Sequence, residues 1–172
     1  GDPKALIDEM LHKPSGCTGG RGGSSHLNCK DINYFGHCGL IGNEVSIAIG
    51  AAFASGKKTL TFIGDAAMEE DYVLSSFGFA AKYKVPILFV GEDNDLSILT
   101  RKSVRRDWSS IEVVKAFGIP SVETSDDPWD IMLHVRKMKE QLPAFINILT
   151  TREYWHGGTG QDEIPAISRY SL

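Results

Sequence analysis

The chain has 172 residues and 42% hydrophobic content, enough for one domain with a real core and too little for two ordinary ones. A formal net charge of -4 and a pI near 5.7 exclude bulk electrostatic attraction to nucleic acid, and no apolar run approaches the roughly 20 residues of a membrane span. The opening GDPKALIDEM lacks the basic-then-apolar order of a signal peptide, and Cys17, Cys29 and Cys38 cannot all pair within the chain. The expectation is a cytoplasmic protein with reduced thiols, bound to neither nucleic acid nor membrane.

In chain order, about the first 40 residues show no periodicity, and the glycine-rich GCTGGRGGSSHLNCKDINYFGHCG predicts a long functional loop. GNEVSIAIGAAFASG (42–56) predicts a small-residue helix and TLTFI (59–63) a strand. AAMEEDYVLSSFGFAAKY (66–83) fills the next interval as a helix, and the strand PILFVG (86–91) comes after it. Ser109 and Glu112 form a predicted capping box before Ile111, Val114 and Phe117, and Gly118 and Pro120 close that helix. SVET (121–124) is a strand, Asp127-Pro128 opens a helix carrying Ile131, Met132, Val135, Met138 and Leu142, and AFINIL (144–149) is the last strand. The tail GGTGQDEIPAISRYSL (157–172) reads as extended. Strand, helix, strand in repetition predicts an α/β fold: a mostly parallel sheet with helices on both faces and right-handed crossovers.

In such sheets ligands collect at the carboxyl ends of the strands. Gly64 and Asp65 lie at one predicted end, and Glu92, Asp93 and Asn94 at the next. If the two strands are neighbours their ends sit about 4.8 Å apart, which brings the Asp65 carboxylate and the Asn94 amide oxygen within reach of one hard cation such as Mg²⁺. A helix beginning near Ala66 would add free backbone amides, an anion site. A cation beside a helix start points to a diphosphate. Taken singly, Asp65 would cap the helix and Asn94 would make a turn; together, the metal-diphosphate reading is preferred.

GDA followed by Asn94 across strand, helix and strand resembles the thiamine-diphosphate motif, and FAAKYKVPILFVGEDN matches the alpha subunits of 2-oxoacid dehydrogenases within the transketolase-like superfamily. GGRGGSSH resembles their glycine-rich segment, GLIGNEVSIAIGAAFA their GIVGxxxPxxxGAAxA stretch, and REYWH (152–156) their RxxxH. The resemblance implies a three-layer thiamine-diphosphate-binding fold, with residues 1–172 as its diphosphate-binding domain. It implies Mg²⁺ on Asp65, Asn94 and the Leu96 carbonyl, Gly64 and Ala66 against the diphosphate, Gly39 and Ile41 against the aminopyrimidine, and Arg152 on a diphosphate oxygen. His156 would serve substrate at the site mouth, and His26 is the weaker second catalytic match. Ala66 departs from the motif's glycine, Glu69 and Asp71 add negative charge, and Ser46 replaces a proline.

The resemblance further implies carbanion chemistry on a 2-oxo acid, decarboxylation with acyl transfer, as in pyruvate dehydrogenase. The alternatives are half of a split transketolase-like enzyme moving a two-carbon unit between sugars, and a non-catalytic regulatory subunit. The activating glutamate belongs to a pyrimidine-binding domain that this chain is too short to hold. The expected partner is therefore a beta-type subunit in an α2β2 heterotetramer, acting on a small 2-oxo acid or ketose. The family's N-terminal tyrosine-arginine pair is also missing here, so the chain reads as a natural short form or a fragment.

Two further features have competing readings. His12, Cys17, His26, Cys29, His37 and Cys38 fit no common zinc spacing, and the cysteines are expected to be small buried fillers. TRKSVRRDW (100–108), basic in an acidic chain, is expected to be a solvated loop beside the cofactor, or next a docking surface for the partner or a phosphorylated substrate.

Overall fold

The computed structural model describes residues 2–152 and 156, which fall into two compact units, Gly1–Glu44 and Val45–Leu172. The tail from 157 and residues 153–155 lie outside the described residues.

The first unit is not all loop. Helix α1 spans Pro3–Met10, with Asp2 as N-cap accepting from the Lys4 N–H (2.9 Å) and Pro3 in the first turn, where its missing N–H is harmless. Apolar periodicity cannot reveal this helix, because its buried residues are Asp8 and Glu9 while Leu6, Ile7 and Met10 are exposed. Glu9 is fully buried and organises the glycine-rich segment: its carboxylate accepts from the N–H groups of Thr18 (2.8 Å), Gly20 (2.9 Å) and Gly22 (2.6 Å) and from the Thr18 hydroxyl. The loop must approach closely here. A Cβ at Gly16 would lie 2.3 Å from Glu9 Oε2, and Gly20 adopts φ +76°, a left-handed conformation that suits glycine.

The Thr18 hydroxyl, against the cost of burial and with the backbone donors, holds the Glu9 carboxyl down at about 2. Since this lies below the roughly 4.3 of an unfolded glutamate, the anchor contributes fully above that value and is lost as pH falls toward the folded value. Glu9→Gln is expected to strip hydrogen-exchange protection from the Thr18, Gly20 and Gly22 amides near neutrality. Equal protection in both proteins would show that the carboxylate does not hold the loop. The cysteines are half-buried rather than core fillers, and burial, together with the neighbouring Cys29 thiol, pushes the Cys17 thiol up.

The second unit is the predicted α/β sandwich. Strands β1 (Thr59–Gly64), β2 (Ile87–Asp93), β5 (Ser121–Ser125) and β6 (Ala144–Leu149) form one parallel sheet in the order β1-β2-β6-β5. A two-stranded antiparallel hairpin, β3 (Leu96–Ser97) and β4 (Thr100–Arg101), projects from the end of β2. Apolar residues leave the sheet on both faces. Ile63, Ile87, Phe89 and Phe145 pack with Val45, Ile49 and Ala52 of α2 (Asn43–Ser55), Val73, Phe77 and Ala80 of α3 (Asp71–Tyr83), and Ile111 and Val114 of α5 (Ser110–Ala116). Leu88, Val90, Ile146 and Ile148 on the other face meet Met138, Ile131 and Val135 of α6 (Pro128–Met138). Helices on both faces make three layers.

Helix ends agree with expectation at α6, where Asp127 accepts from the Trp129 and Asp130 N–H groups, and past α5, where Gly118 adopts φ +79°. Two expectations are corrected. Ser109 makes no capping bond at α5: Glu112 is exposed and pairs with Lys115 (3.3 Å), so no capping box forms. The helix expected from Ala66 starts only at Asp71, after a single 3-10 turn over Ala67–Glu69 and an extended Glu70. Within that turn Ala67 and Met68 are both buried in the core.

Candidate functional site

The β1–β2 ladder ends on Gly64↔Glu92, and the Asp65 N–H donates to the Glu92 carbonyl (3.3 Å), carrying the pairing one step beyond β1. The Thr150 N–H does the same toward the Asp93 carbonyl (2.9 Å) at the end of β6. Asp65 and Asp93 therefore stand at the carboxyl edge of adjacent strands, both at most 5% exposed. Beyond Asp93 the chain turns twice: Asp93 Oδ1 accepts from the Asp95 N–H (3.1 Å) and Asn94 Oδ1 from the Leu96 N–H (2.9 Å). These side-chain turns launch the β3–β4 hairpin. At its tip Ile98, β-branched, is held at φ +53°, a strained conformation, with its carbonyl accepting from the Arg152 guanidinium (2.5 Å).

The basic segment closes onto these acids. From α4 (Lys102–Arg105), Lys102 Nζ meets Asp93 Oδ2 at 2.5 Å, and the Arg105 guanidinium spans Asp65 Oδ2 and Glu69 Oε1, each at 2.5 Å. Arg106, with a side chain 2% exposed, donates to Ser110 Oγ (3.0 Å), lies 3.5 Å from Glu69 Oε1 and stacks 4.2 Å from the Trp108 ring centroid. Burial pulls the Arg106 guanidinium below its ordinary value, opposed by Glu69, Asp93 and Asp65. Burial pushes the Asp93 carboxyl up, but the Lys102 ammonium, the Asp95 N–H and Asn147 outweigh it and leave it below the usual carboxylate range. Asn147, buried on β6, joins Asp93 to Glu123 of β5 (3.0 Å), so the chain of polar contacts crosses three strands. Gly91 makes room for it, since a Cβ there would lie 2.7 Å from Asn147 Oδ1.

The dehydrogenase E1 component family model matches residues 3–162. This chain belongs to the dehydrogenase E1 component family. The chain is 28% identical over 169 residues to the pyruvate dehydrogenase E1 component subunit alpha of Rickettsia bellii, covering 90% of this chain and 51% of that one. It is 31% identical over 184 residues to the chloroplastic subunit alpha-3 of Arabidopsis thaliana, covering 94% and 42%. The chain thus spans about half the length, or less, of the curated relatives it matches. Solved transketolases share the fold: the Leishmania mexicana enzyme aligns at TM-score 0.61 and 17% identity over 66% of this chain and 20% of its own, and a Pichia stipitis variant at 0.62 and 20% over 70% and 21%.

Within this E1-component chain, the predicted residues separate by unit. Gly64, Asp65, Ala66, Asn94 and Leu96 gather around the ends of β1 and β2, while His26, Gly39 and Ile41, all exposed, belong to the first unit. His156 is exposed. Ala66 does not need glycine's freedom, because its backbone (φ -73°, ψ -35°) is open to any residue. The α-helix N-terminus expected at Ala66 lies instead at Asp71, after the 3-10 turn over Ala67–Glu69. Sequence reasoning missed Lys102, Arg105 and Asn147; a basic run placed just after Asn94 was the available signal for the first two.

The oxygen donors at these strand ends would suit a hard cation held beside a diphosphate. A carboxylate, an amide oxygen and a backbone carbonyl are the ligand types of a hard cation, and a Cβ added at Gly64 would meet nothing within 4 Å, leaving open space at the strand end.

Proposed function

We propose that this chain is the diphosphate-binding domain, residues 1–172, of an alpha-type subunit of a thiamine-diphosphate-dependent 2-oxoacid dehydrogenase. The observation that carries the reading is the placement of Asp65 and Asn94 at the ends of paired strands β1 and β2 in a chain of the E1 family. Asp65, the Asn94 side chain and the Leu96 carbonyl would hold Mg²⁺. Gly64 and Ala66 would lie along the diphosphate with Arg152 on one of its oxygens, and Gly39 and Ile41 would face the aminopyrimidine. His156 and His26 would serve substrate. The bound cofactor supplies a carbanion and electron sink for decarboxylating a 2-oxo acid.

This chain's own contribution is to bind and orient. The buried Asp65 carboxylate would give Mg²⁺ a charged seat in a low-dielectric setting, where each ion contact counts for more than in water. The polar chain Lys102–Asp93–Asn147–Glu123 ties the hairpin that carries Leu96 to the sheet. A beta-type partner with a pyrimidine-binding domain would supply the activating glutamate, in an α2β2 heterotetramer located in the cytoplasm.

Calorimetry with thiamine diphosphate and Mg²⁺, with and without a beta-type subunit, tests the cofactor; a panel of 2-oxo acids on the reconstituted pair tests the reaction. The expected outcome is binding, with decarboxylation only when both polypeptides are present. No binding in either state removes the cofactor assignment, and turnover by this chain alone removes the partner. The transketolase likeness is one of fold and does not favour the sugar-transfer alternative.

A further inference from the structure

Resting on the metal reading above, we propose that Arg105 is a resident counterion for Asp65 that Mg²⁺ displaces, so that metal and diphosphate enter as a charge-balanced pair. One guanidinium bridges Asp65 and Glu69 at 2.5 Å each, and its side chain is only 11% exposed. Among the described residues no other cation lies within ion-pair distance of Asp65. The carboxylate that would ligate the metal is thus already neutralised by a group of this chain.

Charge balance governs the exchange. Asp65 and Glu69 face Arg105 and Arg106, two negative charges against two positive, so a divalent cation arriving alone would bring an uncompensated excess into a buried site. A metal carrying a diphosphate brings its own anion and leaves the displaced guanidinium a partner, since Arg pairs bidentately with phosphate oxygens. The guanidinium is also imperfectly housed where it stands: Arg105 Nε is buried without a hydrogen-bond partner, which makes its displacement less costly. Lys102, on the same short helix, holds Asp93 and donates its N–H to the Asp95 carbonyl (2.9 Å). These contacts hold the start of α4 independently of the Arg105 guanidinium. Arg105 is in this sense a positioning residue: it keeps the Asp65 carboxylate in place and sets which ligands are admitted together.

Mn²⁺ titration followed by electron paramagnetic resonance tests the exchange, on the full 172-residue chain alone and with its beta-type partner, each with and without thiamine diphosphate. The wild type is expected to bind Mn²⁺ weakly alone, and tighter by about tenfold or more when thiamine diphosphate is present. R105M is expected to bind Mn²⁺ alone about tenfold tighter than the wild type, with R105K between them. Circular dichroism checks folding, and R105K carries the comparison if R105M fails to fold. If wild type binds Mn²⁺ with thiamine diphosphate but neither variant gains affinity for Mn²⁺ alone, the exchange is overturned while the cofactor reading stands. If no protein binds Mn²⁺ under any condition, the cofactor reading falls and the exchange with it.

Discussion

Asp65→Asn is expected to weaken binding of thiamine diphosphate with Mg²⁺ by more than about 100-fold, because it removes the one anionic protein ligand and leaves only neutral protein oxygens beside the diphosphate. The same change acts on the protein without cofactor. Asp65 and Arg105 have side chains 3% and 11% exposed, and breaking a buried pair by neutralising one member costs about 3–5 kcal/mol, most of it the burden of an uncompensated charge. Glu69 remains within 2.5 Å of the same guanidinium, which places the expected loss at about 3 kcal/mol, the low end of that range. Calorimetry reads the first effect and urea denaturation the second. Lost binding with unchanged stability would mean that the Arg105 contact is absent in solution, whereas unchanged binding would remove Asp65 from the metal site. Asp65→Glu separates charge from reach: it keeps the anion but moves it by one methylene, so stability should largely survive while metal geometry suffers.

The sheet was legible because its strands are short runs of apolar, largely β-branched and aromatic residues, and the adjacency of β1 and β2 followed from the helix between them. The start of α6 was legible because Asp-Pro combines a cap with a fixed φ. Helix α1 was hidden because its buried face is charged, and its reason for burial, the amides of the glycine-rich loop, lies up to 13 residues further on. The false capping box had the right letters, but it is Ser110 that is buried and engaged by Arg106, leaving Ser109 outside. At the site, Asp65 and Asn94 were legible as strand-end residues. The ion pair that holds Asp65 joins residues 40 apart through a turn and a short helix, and no local pattern encodes it. Where the apolar period governs, sequence is enough; where buried charges find one another across the fold, it is not.

Phe77→Ala is expected to be the most destabilising single change in the core, at about 3–5 kcal/mol, with a fall in Tm of roughly 10 °C or more. Phe77 is fully buried on α3 and meets Phe89 of β2 at a centroid distance of 4.7 Å and Phe145 of β6 at 6.0 Å, both edge-on. The ring is therefore the joint between the helix C-terminal to Asp65 and the two central strands, which carry Asp93 and Asn147 and lead into Asn94. Phe79, two positions along the same helix, is the control. It is 40% exposed and touches only Phe53 and Tyr83 among the aromatic rings, so Phe79→Ala should cost about 1 kcal/mol. Thermal denaturation of the two variants decides between packing at the sheet and aromatic content alone, and equal losses would sink the first. Because Phe77 lies in the apolar core cluster, its variant should bind the metal-diphosphate normally wherever it is folded. A binding defect that persists at temperatures well below its Tm would instead mean that α3 transmits its position to the strand ends, which makes the pair of measurements a test of how rigidly the core holds the site.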